Sequence, residues 1–297
     1  MKTLKTIFIL LLIFGLLGSL AGCSSANKEQ IVVGSKDFPE QDILGQMLRL
    51  MIESNTDFSV VLLDNMATHV IWAAVKTGAI DVYVDYSSTF YGNYLNLTEH
   101  KSAEEVLEIS RALMMERYDL KVLEPFGFNN TYSLAVRHDT AEQYGLKTFS
   151  DLAEVSSNLI FGGSAELINR SDGLTNLKIT YNMSFKEVVV LHLDQRYTAI
   201  ANNEIQVTEA FSTDALLTEY TLVVLEDDKN YFPPYQGVVT IRNEIAEKHP
   251  VLVEVLSLLS GLISDDTMRD LNYKVEVLGQ APSEVAENFL REQNLIR

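Results

Sequence analysis

Apolar and polar positions along this chain alternate between two periods, short β-branched runs and stretches with apolar residues at helical spacing, and the series restarts once. The run Ile31-Val32-Val33-Gly34-Ser35 predicts a buried strand, and Ile43, Leu44, Met47, Leu48 and Met51 keep to one helix face. Strands at 58–63 and 80–86 enclose a helix at 67–77, giving a β-α-β-α-β opening of the kind that builds parallel sheets. Ser102-Ala103-Glu104-Glu105 has the form of a capping box and predicts a helix with Val106, Ile109, Leu113 and Met114 inward. A strand at 121–123, a turn-rich passage at 126–132 and a strand at 133–136 follow. The restart predicts helices at 140–144, 150–155 and 174–181, strands at 159–162 and 187–191, and a polar loop at 163–166. Phe232-Pro233-Pro234-Tyr235-Gln236-Gly237 predicts a stiff return, since two prolines fix the chain and remove two donors. A last strand at 238–241 and helices at 244–249, 251–262, 265–275 and 283–294 complete the pattern.

One unit occurs twice. Ile80-Asp81-Val82-Tyr83-Val84-Asp85-Tyr86-Ser87-Ser88-Thr89 is matched in layout, 125 positions later, by Ile205-Gln206-Val207-Thr208-Glu209-Ala210-Phe211-Ser212-Thr213-Asp214. Each copy follows a short helical pattern, and each ends on an aromatic residue followed by hydroxyls. In α/β folds ligands sit at the carboxyl ends of strands, so two such copies suggest two lobes facing one cleft. Tyr86 and Phe211 are equally compatible with ordinary core positions.

The first residues change where the rest is expected to reside. A basic start, an apolar run at 7–20 and Leu20-Ala21-Gly22-Cys23 have the layout of an export signal, too short for a comfortable membrane span. The last four residues resemble the bacterial lipobox, in which cleavage before the cysteine leaves a thiol carrying diacylglycerol, with palmitate among the acyl chains. The expected mature chain starts at Cys23 and is tethered to the extracytoplasmic face of the cell membrane. Residues 1–22 are then a signal peptide and 23–30 a polar tether. Without the signal the chain has 21 basic residues against 41 acidic and a formal charge of −20, which argues against nucleic acid and anionic lipid headgroups as partners. Cys23 is the only cysteine, so no internal disulfide is expected and stability must come from an ordinary core.

Several segments together resemble the substrate-binding proteins of glycine betaine, choline and carnitine ABC importers. They are Gly34-Ser35-Lys36-x-Phe38-x-Glu40-Gln41, the unit from Ile80 to Thr89, Gly127-Phe128-Asn129-Asn130-Thr131-Tyr132, Arg170-x-Asp172-Gly173, Ser212-Thr213-Asp214 and the Phe232 to Gly237 return. The resemblance implies an α/β, two-lobed, periplasmic-binding-protein-like fold of type II, with a ligand cleft between lobes joined by two crossing segments. Lobe 1 would comprise 31–131 and 235–297, and lobe 2 would comprise 132–234. It also implies an aromatic box of Tyr86, Tyr132, Phe211 and Tyr235 around a quaternary ammonium group. Lys36, Thr89 and Arg170 would then surround a ligand carboxylate, with Asn130 nearby. The implied partners are an ABC permease and its ATPase, with the protein itself a monomer that uses no cofactor and no metal.

This chain departs from the family pattern at Phe211, where tyrosine is usual. It departs again at Asn65-Met66-Ala67-Thr68 in place of a glycine-rich loop, and at Ser87-Ser88 in place of Thr-Gly. Two other readings compete with this one. A subunit presenting its ligand to a membrane sensor would share the same cleft. An exported hydrolase would need an arrangement that is missing here: His69, His100, His138, His192 and His249 are scattered, and there is no Gly-x-Ser-x-Gly.

Overall fold

A computed structural model describes residues 28–169, 173–192 and 195–297. The predicted signal, Cys23 and Arg170 lie outside the described residues. The opening pattern folds as β1 (Gln30–Lys36), α1 (Pro39–Asn55), β2 (Ser59–Met66), α2 (Thr68–Thr77) and β3 (Val82–Tyr86). Phe38 in extended conformation and Pro39 at the first helical position start α1, and Glu40 and Asp42 complement the positive end of its dipole. A π-helical turn (Thr89–Tyr94), α3 (Ala103–Tyr118) and β4 (Leu120–Asn129) come next. The capping box forms as read, with Ser102 accepting from the Glu105 N–H and Glu105 accepting from the Ser102 N–H.

The second half runs β5 (Tyr132–Arg137), α4 (His138–Tyr144), α5 (Phe149–Val155), β6 (Ile160–Gly163), α6 (Ala165–Asn169), α7 (Leu174–Tyr181) and β7 (Glu187–Val190). It continues through α8 (Arg196–Ala201), β8 (Val207–Phe211), α9 (Leu216–Glu219) and β9 (Leu222–Leu225). The chain then returns as β10 (Gln236–Arg242), α10 (Asn243–Lys248), α11 (Pro250–Ser257), α12 (Asp265–Glu276) and α13 (Pro282–Glu292).

The strands form two five-stranded sheets, ordered β2-β1-β3-β10-β4 and β7-β6-β8-β5-β9. In each, the first three strands are parallel and the fourth is antiparallel to both its neighbours. That fourth strand arrives from the other sheet, β5 directly after β4 and β10 after β9, so the chain crosses between lobes twice. The expected two-lobed α/β architecture is therefore present.

The two copies of the repeated unit are β3 and β8, the middle strand of each sheet, and the match extends to single hydrogen bonds. The Asp81 side chain accepts from the Val32 N–H at 2.9 Å, and the Asp81 N–H donates to the Val32 carbonyl at 2.9 Å. Gln206 does the same for Ile160, at 3.0 Å in both directions. Ile80 and Ile205 press on Gly34 and Gly162, where a β-carbon would lie 2.6 Å from the isoleucine methyl in each case. Glycine is required at both places by close approach rather than by backbone conformation.

Four local expectations are corrected. Residues 126–129 continue β4 instead of turning, because β4 is an edge strand that tolerates Pro125 and Gly127 through breaks in register with β10. The polar loop at 163–166 contains the start of α6. The strand β9 was not visible in the pattern. On α3 the buried residues are Val106, Leu107, Ser110 and Met114, while Ile109 and Leu113 are only half-buried. Ser110 is tolerated inside because its hydroxyl donates to the Ser87 carbonyl.

Candidate functional site

The carboxyl ends of β1, β3 and β8 open on a cavity of about 470 Å3. Lys36, Tyr86, Thr89, Asn130, Tyr132, Phe211 and Tyr235 all line it, so the structure brings together every described residue that the sequence nominated. Tyr86 is the last residue of β3 and Phe211 the last of β8. Tyr132, first in β5, pairs with Phe211 in register, and their ring centroids lie 4.6 Å apart. Tyr235 stands on the returning segment, its N–H donating to Asn129 Oδ1 at 2.6 Å and its carbonyl accepting from the Asn130 N–H at 3.0 Å.

The Tyr86 ring is held by its edge. Its hydroxyl donates to Glu40 Oε1 at 2.6 Å and accepts from Gln41 Nε2 at 3.0 Å, and Phe38 lies at a centroid distance of 6.4 Å and an interplanar angle of 20°. Lys36 is buried against this ring, with its ammonium 5.2 Å from the centroid and 2.5 Å from Asp85 Oδ1. The lysine thus reaches the cavity wall with its charge already matched, and its remaining hydrogens are what a ligand could use. Thr89 begins the π-helical turn that carries the chain away from the wall.

Residues that the sequence reading did not assign complete the wall. Glu40 accepts from Tyr86, from Asn130 Nδ2 at 3.0 Å and from Asn272 Nδ2 at 3.2 Å. Burial pushes its carboxyl up, and these neutral donors together with Thr213 pull it back. Asp214 accepts from the Arg196 guanidinium and the Tyr197 hydroxyl, both at 2.5 Å, and from the Phe211 N–H at 2.9 Å. Glu276, at the end of α12, is pushed up to about 7 by dehydration and then by the charges of Asp214 and Glu40. Glu40 and Asp214 stood inside quoted motifs, but nothing local marked Asn272 or Glu276 as cavity residues.

The α12 helix belongs to the first sheet's core yet grips the second lobe. Arg269 donates twice to the Ser212 carbonyl, at 2.9 and 3.1 Å, and Asn272 Nδ2 donates to the Thr213 carbonyl at 2.9 Å. The Tyr273 hydroxyl donates to Glu219 at 2.9 Å. Among the described residues no helix is long and apolar enough to cross a membrane.

An aromatic cavity between two α/β lobes, walled at strand carboxyl ends, is the arrangement of a solute-binding protein. Residues 29–292 match the family described as the substrate binding domain of ABC-type glycine betaine transport systems, and the chain belongs to that family. It is 32% identical over 279 residues to the carnitine transport binding protein OpuCC of Listeria monocytogenes, an alignment covering 93% of this chain and 91% of that one. It is 34% identical over 279 residues to the ergothioneine transport permease/ergothioneine binding protein EgtU of Helicobacter pylori. That alignment covers 92% of this chain but 49% of the relative, so the chain spans about half of that protein's length. Among solved structures, one described as a glycine betaine/carnitine/choline ABC transporter superposes with a TM-score of 0.87 at 30% identity, covering 90% of this chain and 99% of that one.

Proposed function

We propose that this chain is the extracytoplasmic solute-binding component of an ABC importer, anchored by lipid on Cys23, that captures a quaternary ammonium compound and delivers it to a permease driven by an ATPase. Residues 31–131 with 235–297 form one lobe and 132–234 the other, and the ligand lies between them. The observation that carries this reading is the meeting of Tyr86, Tyr132, Phe211 and Tyr235, from two sheets and a crossing segment, on one cavity. A trimethylammonium ion has no hydrogen to donate, so ring faces can replace its water at about 0.5 to 2 kcal/mol per contact. Three or four such contacts, with polar contacts from Lys36, Thr89, Asn130 and Arg170, are enough for micromolar binding, about −8 kcal/mol. Phe211 supplies a ring face without a hydroxyl, which this role does not require.

Glycine betaine, carnitine, choline and ergothioneine, the compounds named for family members, all carry a trimethylammonium group. Calorimetric titration with these four should show one-to-one binding of at least one, and Phe211→Ala should weaken it tenfold or more at unchanged thermal stability. Absence of binding by all four, or wild-type affinity in the variant, overturns the reading.

A further inference from the structure

In each lobe a buried cation lies against a ring of the cavity. The Lys36 ammonium is 5.2 Å from the centroid of Tyr86 and is matched by one carboxylate, Asp85. The Arg196 guanidinium, at the start of α8 and 4% exposed, is 5.9 Å from the centroid of Phe211 and lies between two carboxylates, Asp214 at 2.5 Å and Glu209 at 3.3 Å. A cation beside a ring opposes a second cation on it, so a methylated nitrogen can use Phe211 only where the guanidinium charge is matched. Lobe 2 holds one carboxylate beyond that requirement, and the two are not equivalent. Glu209 is shut inside the lobe, where its other oxygen accepts from the Ser164 hydroxyl at 3.1 Å. Asp214 lines the cavity, with 25% of its side chain exposed.

All the donors to Asp214 fall on one oxygen. Its Oδ2 accepts from Arg196 Nη2 and the Tyr197 hydroxyl, both at 2.5 Å, and from the Phe211 N–H at 2.9 Å. Its Oδ1 accepts from no described residue and is open to solvent. Arg196 and Tyr197 are buried behind this wall. We propose that they are positioning residues of the binding site, which pin Oδ2 and so turn Asp214 Oδ1 toward the positive end of the ligand. The proposal rests on the quaternary ammonium reading and deepens it, naming residues that set affinity without touching the ligand. The planar guanidinium fork spans Glu209 and Asp214 together, which a single ammonium cannot do. Because the effect runs through Asp214, it is separable from a role in folding: once that charge is gone, the two residues have nothing left to position.

The test is a double-mutant cycle on affinity, read by calorimetric titration with glycine betaine, choline, carnitine and ergothioneine and followed with the compound that wild type binds most tightly. Arg196→Lys keeps the charge and removes the fork, so it changes geometry alone. It should weaken binding at least threefold, and Asp214→Asn about tenfold. In the Asp214→Asn background Arg196→Lys should change affinity less than twofold. Should Arg196→Lys fail to fold, Tyr197→Phe runs the same cycle, since it removes one hydroxyl and keeps the ring that stacks on Tyr220. Wild-type affinity in the folded single variant or in Asp214→Asn, or a loss that persists in the double variant, overturns this proposal and leaves the proposed function standing. No binding of any of the four compounds by wild type overturns both.

Discussion

Ser87 and Ser212 stand at matching places just after β3 and β8, and each holds one of the two segments that cross between lobes. The Ser87 hydroxyl donates to the Pro234 carbonyl at 3.0 Å and accepts from the Gln236 N–H at 3.1 Å. The Ser212 hydroxyl donates to the Asn129 carbonyl and accepts from the Thr131 N–H at 3.1 Å. Each stands directly after the aromatic residue that its strand presents to the cavity, so the repeated unit supplies both a cavity ring and the hydroxyl that holds a crossing segment. Ser87→Ala and Ser212→Ala should each cost about 1–3 kcal/mol, the price of leaving backbone groups unpaired. Urea denaturation checks this, and a variant that loses nothing would show its crossing segment to be held by other contacts, such as Ser88 to Pro234 at 2.5 Å.

The Lys36–Asp85 pair is buried on both sides, with 3% and 0% of the two side chains exposed. Asp85 also accepts from the Tyr86 N–H at 2.8 Å and the Tyr94 hydroxyl at 3.1 Å. Asp85→Asn should destabilise the fold by about 3–5 kcal/mol, since a buried ammonium loses its counter-charge. In the double variant Lys36→Met/Asp85→Asn much of that loss should return. Additive losses in a chemical-denaturation cycle would show that the two charges do not act as a pair.

Arg269 reaches from α12 to the Ser212 carbonyl, linking the lobes through two charge-assisted hydrogen bonds. Such bonds are worth about 1.5–3 kcal/mol. Arg269→Ala should therefore enlarge the ligand-free protein's radius of gyration in small-angle scattering and weaken ligand binding about tenfold. An unchanged radius and affinity would mean that Asn272 and Tyr273 hold this side of the cleft without it.

The repeated unit could be read from sequence because its parts are local: a β-branched run, an aromatic residue and a serine within ten positions. The same locality revealed Tyr132 and Tyr235 through their motifs. Asn272 and Glu276 were illegible because polar residues on a late helix look like a solvated face. Their place in the cavity depends on α12 spanning from its own sheet to α9 and to the end of β8, which no spacing encodes. Residues 126–129 read as a turn because Gly127 and Asn129 are turn formers. Their pairing at a sheet edge depends on β10, more than a hundred positions later.

Glu276, exposed at the cavity mouth, should make the binding of a cationic ligand depend on pH. It faces Glu40 from α1 and Asp214 from the end of β8, while its own helix carries Asn272, Tyr273 bonded to Glu219, and Arg269 bonded to Asp266. Its carboxyl is raised from 4.5 to about 7, so the folded protein disfavours its ionised form. The sign follows from linkage: between these two values the unfolded chain releases the proton first, and the stability of the ligand-free protein falls as pH rises through that window. Solvent at the cavity mouth screens part of this effect. A bound cation lowers the carboxyl's pKa, so binding releases a proton near pH 7 and affinity rises between pH 6 and 8. Titrations in buffers of different ionisation enthalpy should detect that proton with wild-type protein and not with Glu276→Gln, whose affinity should be flat across the same range. A wild-type affinity that is equally flat would place Glu276 outside the field of the bound cation.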